Sequence, residues 1–175
     1  FAIVMGQKAQ LWTTLPPIES FNLLRVIYDV PEMIYRKKLE ELSTLLEVKD
    51  VLNVQVRKLS LGQRMKCEII GSLLHDPEVL FLDEPTIGLD IGSQKKIREF
   101  LSDYNKKKKV TIILTSHYMA DIKRLCERLI VINNGQIIID DKLSAVEEKY
   151  SRDKNVRIIF SDPVNQKDLA TVGKI

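Results

Sequence analysis

The sequence is short of several things that would have announced a specialised class. Its 175 residues hold two cysteines, one tryptophan, two histidines and seven glycines. Two cysteines cannot build a disulfide scaffold. Cys67 and Cys126 both fall in apolar helical patterns that suit reduced thiols, and nothing in the pattern asks for a bridge. No apolar run is long enough to cross a bilayer and none reads as a secretory leader, so work at a membrane would need another chain for the crossing. Lys+Arg 27 against Asp+Glu 24 leaves a net charge of only +3, too weak a bias to argue for nucleic acid. Internal repeats and low-complexity segments are absent. So is an initiator methionine: Phe1–Met5 is already an apolar run, which reads as a chain cut at its N-terminus.

What is present is an ordinary globular composition, 45% hydrophobic and 29% charged, enough for one domain with a substantial core. Phe1–Met5 is predicted to be a strand, followed by a polar turn at Gly6–Gln10. Pro16 and Pro17 keep Leu11–Pro17 extended. Ser20 is placed to cap a helix over Phe21–Tyr28. Tyr35, Leu39, Leu42 and Leu46 recur at helical spacing between Glu32 and Glu47. Ser60 opens a helix running to about Leu74. Val79–Asp83 is a short apolar run that suits a strand buried on both faces of a parallel sheet.

Ile97, Phe100, Leu101 and Tyr104 mark an amphipathic helix, and Lys106–Lys109 reads as a solvated connection after it. A strand at Val110–Thr115, a helix at Asp121–Arg128 and a hairpin over Leu129–Asn133 and Gln136–Ile139 follow. A helix around Ser144–Tyr150 and a strand at Val156–Phe160 close the chain. A strand, a helical block, then alternating strands and helices predicts an α/β fold with a helical insertion.

Chemistry gathers past the carboxyl ends of parallel strands, and several candidates stand there. Asp83 and Glu84 end the apolar run and suit metal and water, although Asp83 could equally cap the next segment. Ser60 and Gln63 have the spacing of a capping box. The same serine, with Gly62 at a helix N-terminus, also suits a phosphate. His117 follows a strand in Thr115-Ser116-His117, either as a plain loop residue or as a donor to a phosphoryl group. Gln7 follows another strand, where its amide could reach a metal or water.

Singly these are weak; their order is not. A strand-end glutamine, a helical block, Ser-x-Gly-Gln, a strand ending Asp-Glu-Pro-Thr, then Gly-Leu-Asp and a strand ending Ser-His resembles the ATP-binding cassette (ABC) ATPases from Phe1 to about Asp140. The resemblance implies a P-loop NTPase-like, mostly parallel sheet with a helical subdomain at about 18–77. It leaves 141–175 as a C-terminal extension. It makes Gln7 the Q-loop residue, with Gln10 as the fallback, and puts Ser60, Gly62 and Gln63 in the signature motif. Asp83 would hold Mg²⁺ through water with help from Gln7, Glu84 would polarise the attacking water, and His117 would contact the γ-phosphate. Asp90 would lie in the D-loop. ATP and Mg²⁺ are the implied cofactors. The implied partners are a second ATPase subunit, head to tail, and a transmembrane permease, with the chain peripheral at the cytoplasmic face of the membrane. No nucleic-acid partner is expected.

The chain departs from the family pattern twice. Leu61 stands where the family usually has glycine, as in an exporter subgroup sharing the Leu11-Trp12…Leu15-Pro16 stretch. The larger departure is that no Gly-x-x-x-x-Gly-Lys-[Ser/Thr] occurs among the seven glycines. That loop carries most of the nucleotide affinity in such enzymes. The chain is therefore expected to be a portion of an ABC ATPase that is inactive by itself, and the strand ending near His117 should border a gap. Two other classes compete. A non-transport ABC ATPase acting on DNA would carry sustained heptads, which are absent, and one acting on ribosomes would carry a second cassette. A non-catalytic interaction module would not need Glu84 and His117.

Overall fold

The computed structural model describes residues 1–150. Three parallel strands form the centre: β1 (Ala2–Met5), β2 (Val79–Asp83) and β3 (Thr111–Thr115), in the order β1-β2-β3. Met5 lies opposite Asp83, and Asp83 opposite Thr115, so all three strands end at one level. Between β1 and β2 the chain makes α1 (Pro17–Ile27), α2 (Glu32–Leu45) and α3 (Leu61–Leu73). After β2 come α4 (Ile91–Lys108) and, beyond β3, the short α5 (Met119–Leu125). The hairpin of β4 (Arg128–Asn133) and β5 (Gln136–Lys142) forms a separate antiparallel pair, followed by α6 (Leu143–Tyr150). Asn134 and Gly135 turn the hairpin with φ of 49° and 75°, the pair of positive values a tight two-residue turn requires.

The core lies on one side of the three-stranded sheet. Val4, Leu80 and Leu82 point into it and meet Met65, Ile69, Ile70 and Leu73 of α3 and Ile97 and Leu101 of α4. Each such side chain contributes about 1.5–3 kcal/mol by leaving water. The opposite face is open. Ile3, Phe81 and Ile113 form one row across the register and stay 42%, 37% and 49% exposed. The expectation of burial on both faces therefore fails: among the described residues, helices cover one side only. The outer edge of β3 also lacks a strand partner among the described residues, since the hairpin is a separate sheet.

Several local expectations shift. Helix α1 begins at Pro17, whose missing N–H costs nothing in a first turn. Ser20 is therefore inside the helix, where its Oγ accepts from the Trp12 amide at 3.3 Å. The α5 segment starts at Met119, ahead of Asp121. Lys106–Lys108 form the last turn of α4, where cations suit the helix dipole, and Lys109 ends it at φ 57°. Lys107 pairs with Glu41 of α2 at 2.6 Å, so the run links two helices. The strand expected at Val156–Phe160 lies outside the described residues.

Candidate functional site

The level ends of β1, β2 and β3 bring four expected residues to one place. Gly6 donates its N–H to the Asp83 carbonyl at 2.8 Å, and a β-carbon at Gly6 would overlap the carbonyl oxygen of Glu84. Glycine is what lets β1 deliver Gln7 so close to the acids. Gln7 itself is exposed. Glu84 leaves the strand at φ 50°, a left-handed conformation that costs a non-glycine residue on the order of 1–3 kcal/mol. Its N–H donates to Thr115, to the carbonyl oxygen at 3.1 Å and to Oγ1 at 3.2 Å.

His117 Nδ1 stands 2.9 Å from Glu84 Oε2. The contact is poorly aligned, and the buried Oε2 has no well-directed donor. Asp83 Oδ1 accepts from the Thr115 hydroxyl at 2.6 Å. Neither acid is paired with Lys or Arg among the described residues. Two adjacent carboxylates without a counter-cation, one with an orphaned oxygen, suit a divalent cation. The described residues contain no cage of three or more ligands.

The remaining expected residues gather elsewhere, where the N-termini of α3 and α4 meet. Ser60 caps α3 through a full capping box: its Oγ accepts from the Gln63 amide at 3.1 Å, and Gln63 Oε1 accepts from the Ser60 amide at 3.0 Å. A β-carbon on Gly62 would overlap Ser93 Oγ at the start of α4, so glycine sets how closely the helices approach. Asp90 caps α4, accepting from the Ser93 amide at 2.8 Å. The Ser93 hydroxyl and amide hold the Asp90 carboxyl below its ordinary range. Leu61, at the family's glycine position, packs against Gly88 and is 37% exposed.

The loop from Glu84 to Asp90 joins the two groups and is firmly held. Gln94 donates to the carbonyls of Thr86 and Leu89, at 3.3 and 3.1 Å. Thr86 donates to Asp121 Oδ2 at 2.5 Å, and Ser116, next to His117, reaches the same oxygen at 2.9 Å. Arg98 of α4 donates to Asp121 Oδ1 at 2.8 Å. Asp121 and Thr86 are completely buried. One carboxylate thus ties the loop after Glu84, the loop of His117 and helix α4 together.

Sequence reasoning missed Thr115, Gln94 and Asp121. Only the parallel register of β2 and β3 reveals Thr115. Asp121, four residues after His117 on a short helix, left no signal of its burial.

The described residues thus form an α/β domain with a parallel sheet whose strand ends carry two acids and a histidine, with Gln7 just past β1, and a separate corner where two helix N-termini meet. The family model "AAA domain, putative AbiEii toxin, Type IV TA system" matches residues 15–119. The chain is 30% identical over 158 residues to the ABC transporter ATP-binding protein NatA of Bacillus subtilis, covering 90% of this chain and 63% of that protein. It is 35% identical over 118 residues to the methionine import ATP-binding protein MetN of Photorhabdus laumondii, covering 67% of this chain and 34% of MetN. Among solved structures, it matches a dimeric, post-hydrolysis ATP-binding cassette bound to ADP and Pi with a TM-score of 0.70. Identity there is 25%, over 81% of this chain and 62% of that one. The chain belongs to this AAA-domain family, and the relatives it resembles are ABC transporter ATP-binding proteins, of which it spans less than two thirds.

Proposed function

We propose that this chain is part of the ATP-binding subunit of an ABC transporter and contributes residues to two ATP sites in a head-to-tail pair of subunits. The observation that carries the reading is the separation of the expected residues into two groups. Gln7, Asp83, Glu84 and His117 share the strand ends; Ser60, Gly62, Gln63 and Asp90 share the α3–α4 corner. In one group a water and a metal can be held, in the other a phosphate can be met from the far side.

Asp83 and Gln7 would hold Mg²⁺, which would supply compensation of charge on the phosphate oxygens. Glu84 orients and polarises the attacking water through the carboxylate oxygen that lacks a directed donor. His117, 2.9 Å from that oxygen, holds the far edge of the terminal phosphate. Thr115 fixes both acids. Ser60 and the N-terminus of α3 meet the phosphate on the partner subunit's nucleotide. Asp90 faces the partner.

The permease would sit on the exposed apolar surface of Trp12, Leu15, Val26, Ile27, Met33 and Ile34, which are 37% to 82% exposed. That contact would place the chain at the cytoplasmic face of the membrane. Export is the direction suggested by the Leu11-Trp12…Leu15-Pro16 stretch.

The 175 residues contain no Gly-x-x-x-x-Gly-Lys-[Ser/Thr], so this chain by itself is expected neither to bind nor to hydrolyse ATP measurably. Calorimetric titration of the chain with MgATP tests this: no heat of binding is expected, and micromolar affinity would overturn it.

A further inference from the structure

Helix α3, which Ser60 opens, carries a carboxylate that the mechanism above does not use. Glu68 is 3% exposed and sits between Cys67 and Ile69, both fully buried. A carboxyl in such surroundings is costly unless it is hydrogen-bonded. Its partners are in the segment that follows Gln7: Oε1 accepts from the Gln10 amide at 2.9 Å and from the Leu11 amide at 3.3 Å. That segment belongs to no helix or strand, so these amides have no regular backbone partner. The Leu11 side chain is 5% exposed, and its Cδ2 comes 3.6 Å from where a β-carbon of Gly71, also on α3, would stand. At its other end the segment is fixed by the Gly6 amide on Asp83. Gln7 lies between the two anchors, exposed, and is placed by them.

We propose that Glu68 is a positioning residue that holds Gln7 beside Asp83 and Glu84 and ties it mechanically to α3. Because Ser60 caps the same helix, a displacement of α3 is passed to the Gln7 segment through one carboxylate. The strand-end group and the helix-corner group then cannot move independently. The functional part of the role rests on reading Gln7 as a site residue; the tether itself does not.

The test uses the ¹⁵N-labelled chain without nucleotide, so its failure leaves the ATPase reading standing, and loss of that reading leaves the tether measurable. In E68A the amides of Gln10 and Leu11 should exchange with solvent about tenfold faster or more, as expected for loss of an acceptor. The Gln7 backbone and side-chain amide signals should shift with them. E68Q keeps an acceptor oxygen and should restore both readouts to near wild type. E68D, which withdraws the carboxylate by one methylene and is the gentler change should E68A not fold, should shift the Gln7 signals while the remaining core amides keep their protection. Unchanged exchange at Gln10 and Leu11 in E68A, failure of E68Q to restore it, or Gln7 signals indifferent to both E68A and E68D would each overturn the proposal.

Discussion

Thr115 shows how much of the site rests on a residue with no chemistry of its own. Its hydroxyl donates to Asp83 while its carbonyl and hydroxyl oxygens take the Glu84 amide. T115V keeps the shape and removes the hydroxyl. It should cost about 1–2 kcal/mol in urea unfolding, and it should impair hydrolysis in an assembled transporter more than nucleotide affinity. Burial raises the Glu68 carboxyl above its ordinary 4.5, against the pull of its two amide donors and Arg64. The folded state therefore binds more protons than the unfolded one above that value. Stability present below pH 4.5 is lost as pH rises through the folded pKa. Glu68, Tyr28 and His75 line one cavity, and His75 also titrates, lowered by burial. E68Q leaves that titration in place, so the stability difference between E68Q and wild type should grow in favour of E68Q as pH rises from about 4.5. Parallel urea titrations across pH 4.5–8 measure it, and a flat difference would contradict the burial argument. The positions of Gln7, Asp83, Glu84 and His117 near the strand ends were legible in the sequence, because each stands at or within two residues of the end of an apolar run. Glu68, Thr115 and Asp121 were not, because their roles depend on groups far away in the chain.

At the scale of elements, two helix N-termini are fitted to one another by Gly62. An added methyl at that position must push Ser93 and the start of α4 away. G62A should therefore destabilise by about 1–3 kcal/mol and weaken pairing with the opposite subunit, which a sedimentation assay of the assembled pair would register. The helices α2, α3 and α4 and the hairpin turn could be read directly, because their apolar spacing and the Asn134-Gly135 pair are local signals. The ends of α1 and α5 could not. Ser20 has the chemistry of a cap, but a proline at the first helical position competes for the same start, and tertiary contact with Trp12 decides it. The Lys106–Lys109 run extended α4 because its cations face the carbonyl end of the helix and the carboxylate of Glu41.

At the scale of the whole molecule, helices cover one face only of the three-stranded sheet among the described residues. Ile3, Phe81 and Ile113 are open to solvent on one face, and β3 presents an edge without a strand partner among the described residues. Such an edge and face invite association, so the isolated chain is expected to grow in apparent mass with concentration in light-scattering measurements. The sequence anticipated an edge bordering a gap next to the His117 strand. It did not anticipate the open face, since a run such as Val79–Leu82 looks alike whether one side or both are covered. The chain spans 63% of NatA and 62% of the solved cassette, and in the proposed function its two groups of residues are halves of sites completed by other protein.

Single-turnover ATP hydrolysis by an assembled transporter carrying Glu84→Gln tests that account most directly. The glutamine keeps the shape of Glu84 but cannot act as a base. Nucleotide binding should stay within a few-fold of wild type while the hydrolysis step falls by about 10²–10⁴-fold. Hydrolysis at an undiminished rate would contradict the assignment of Glu84, and with it the reading of the strand ends as the water-activating side of the site.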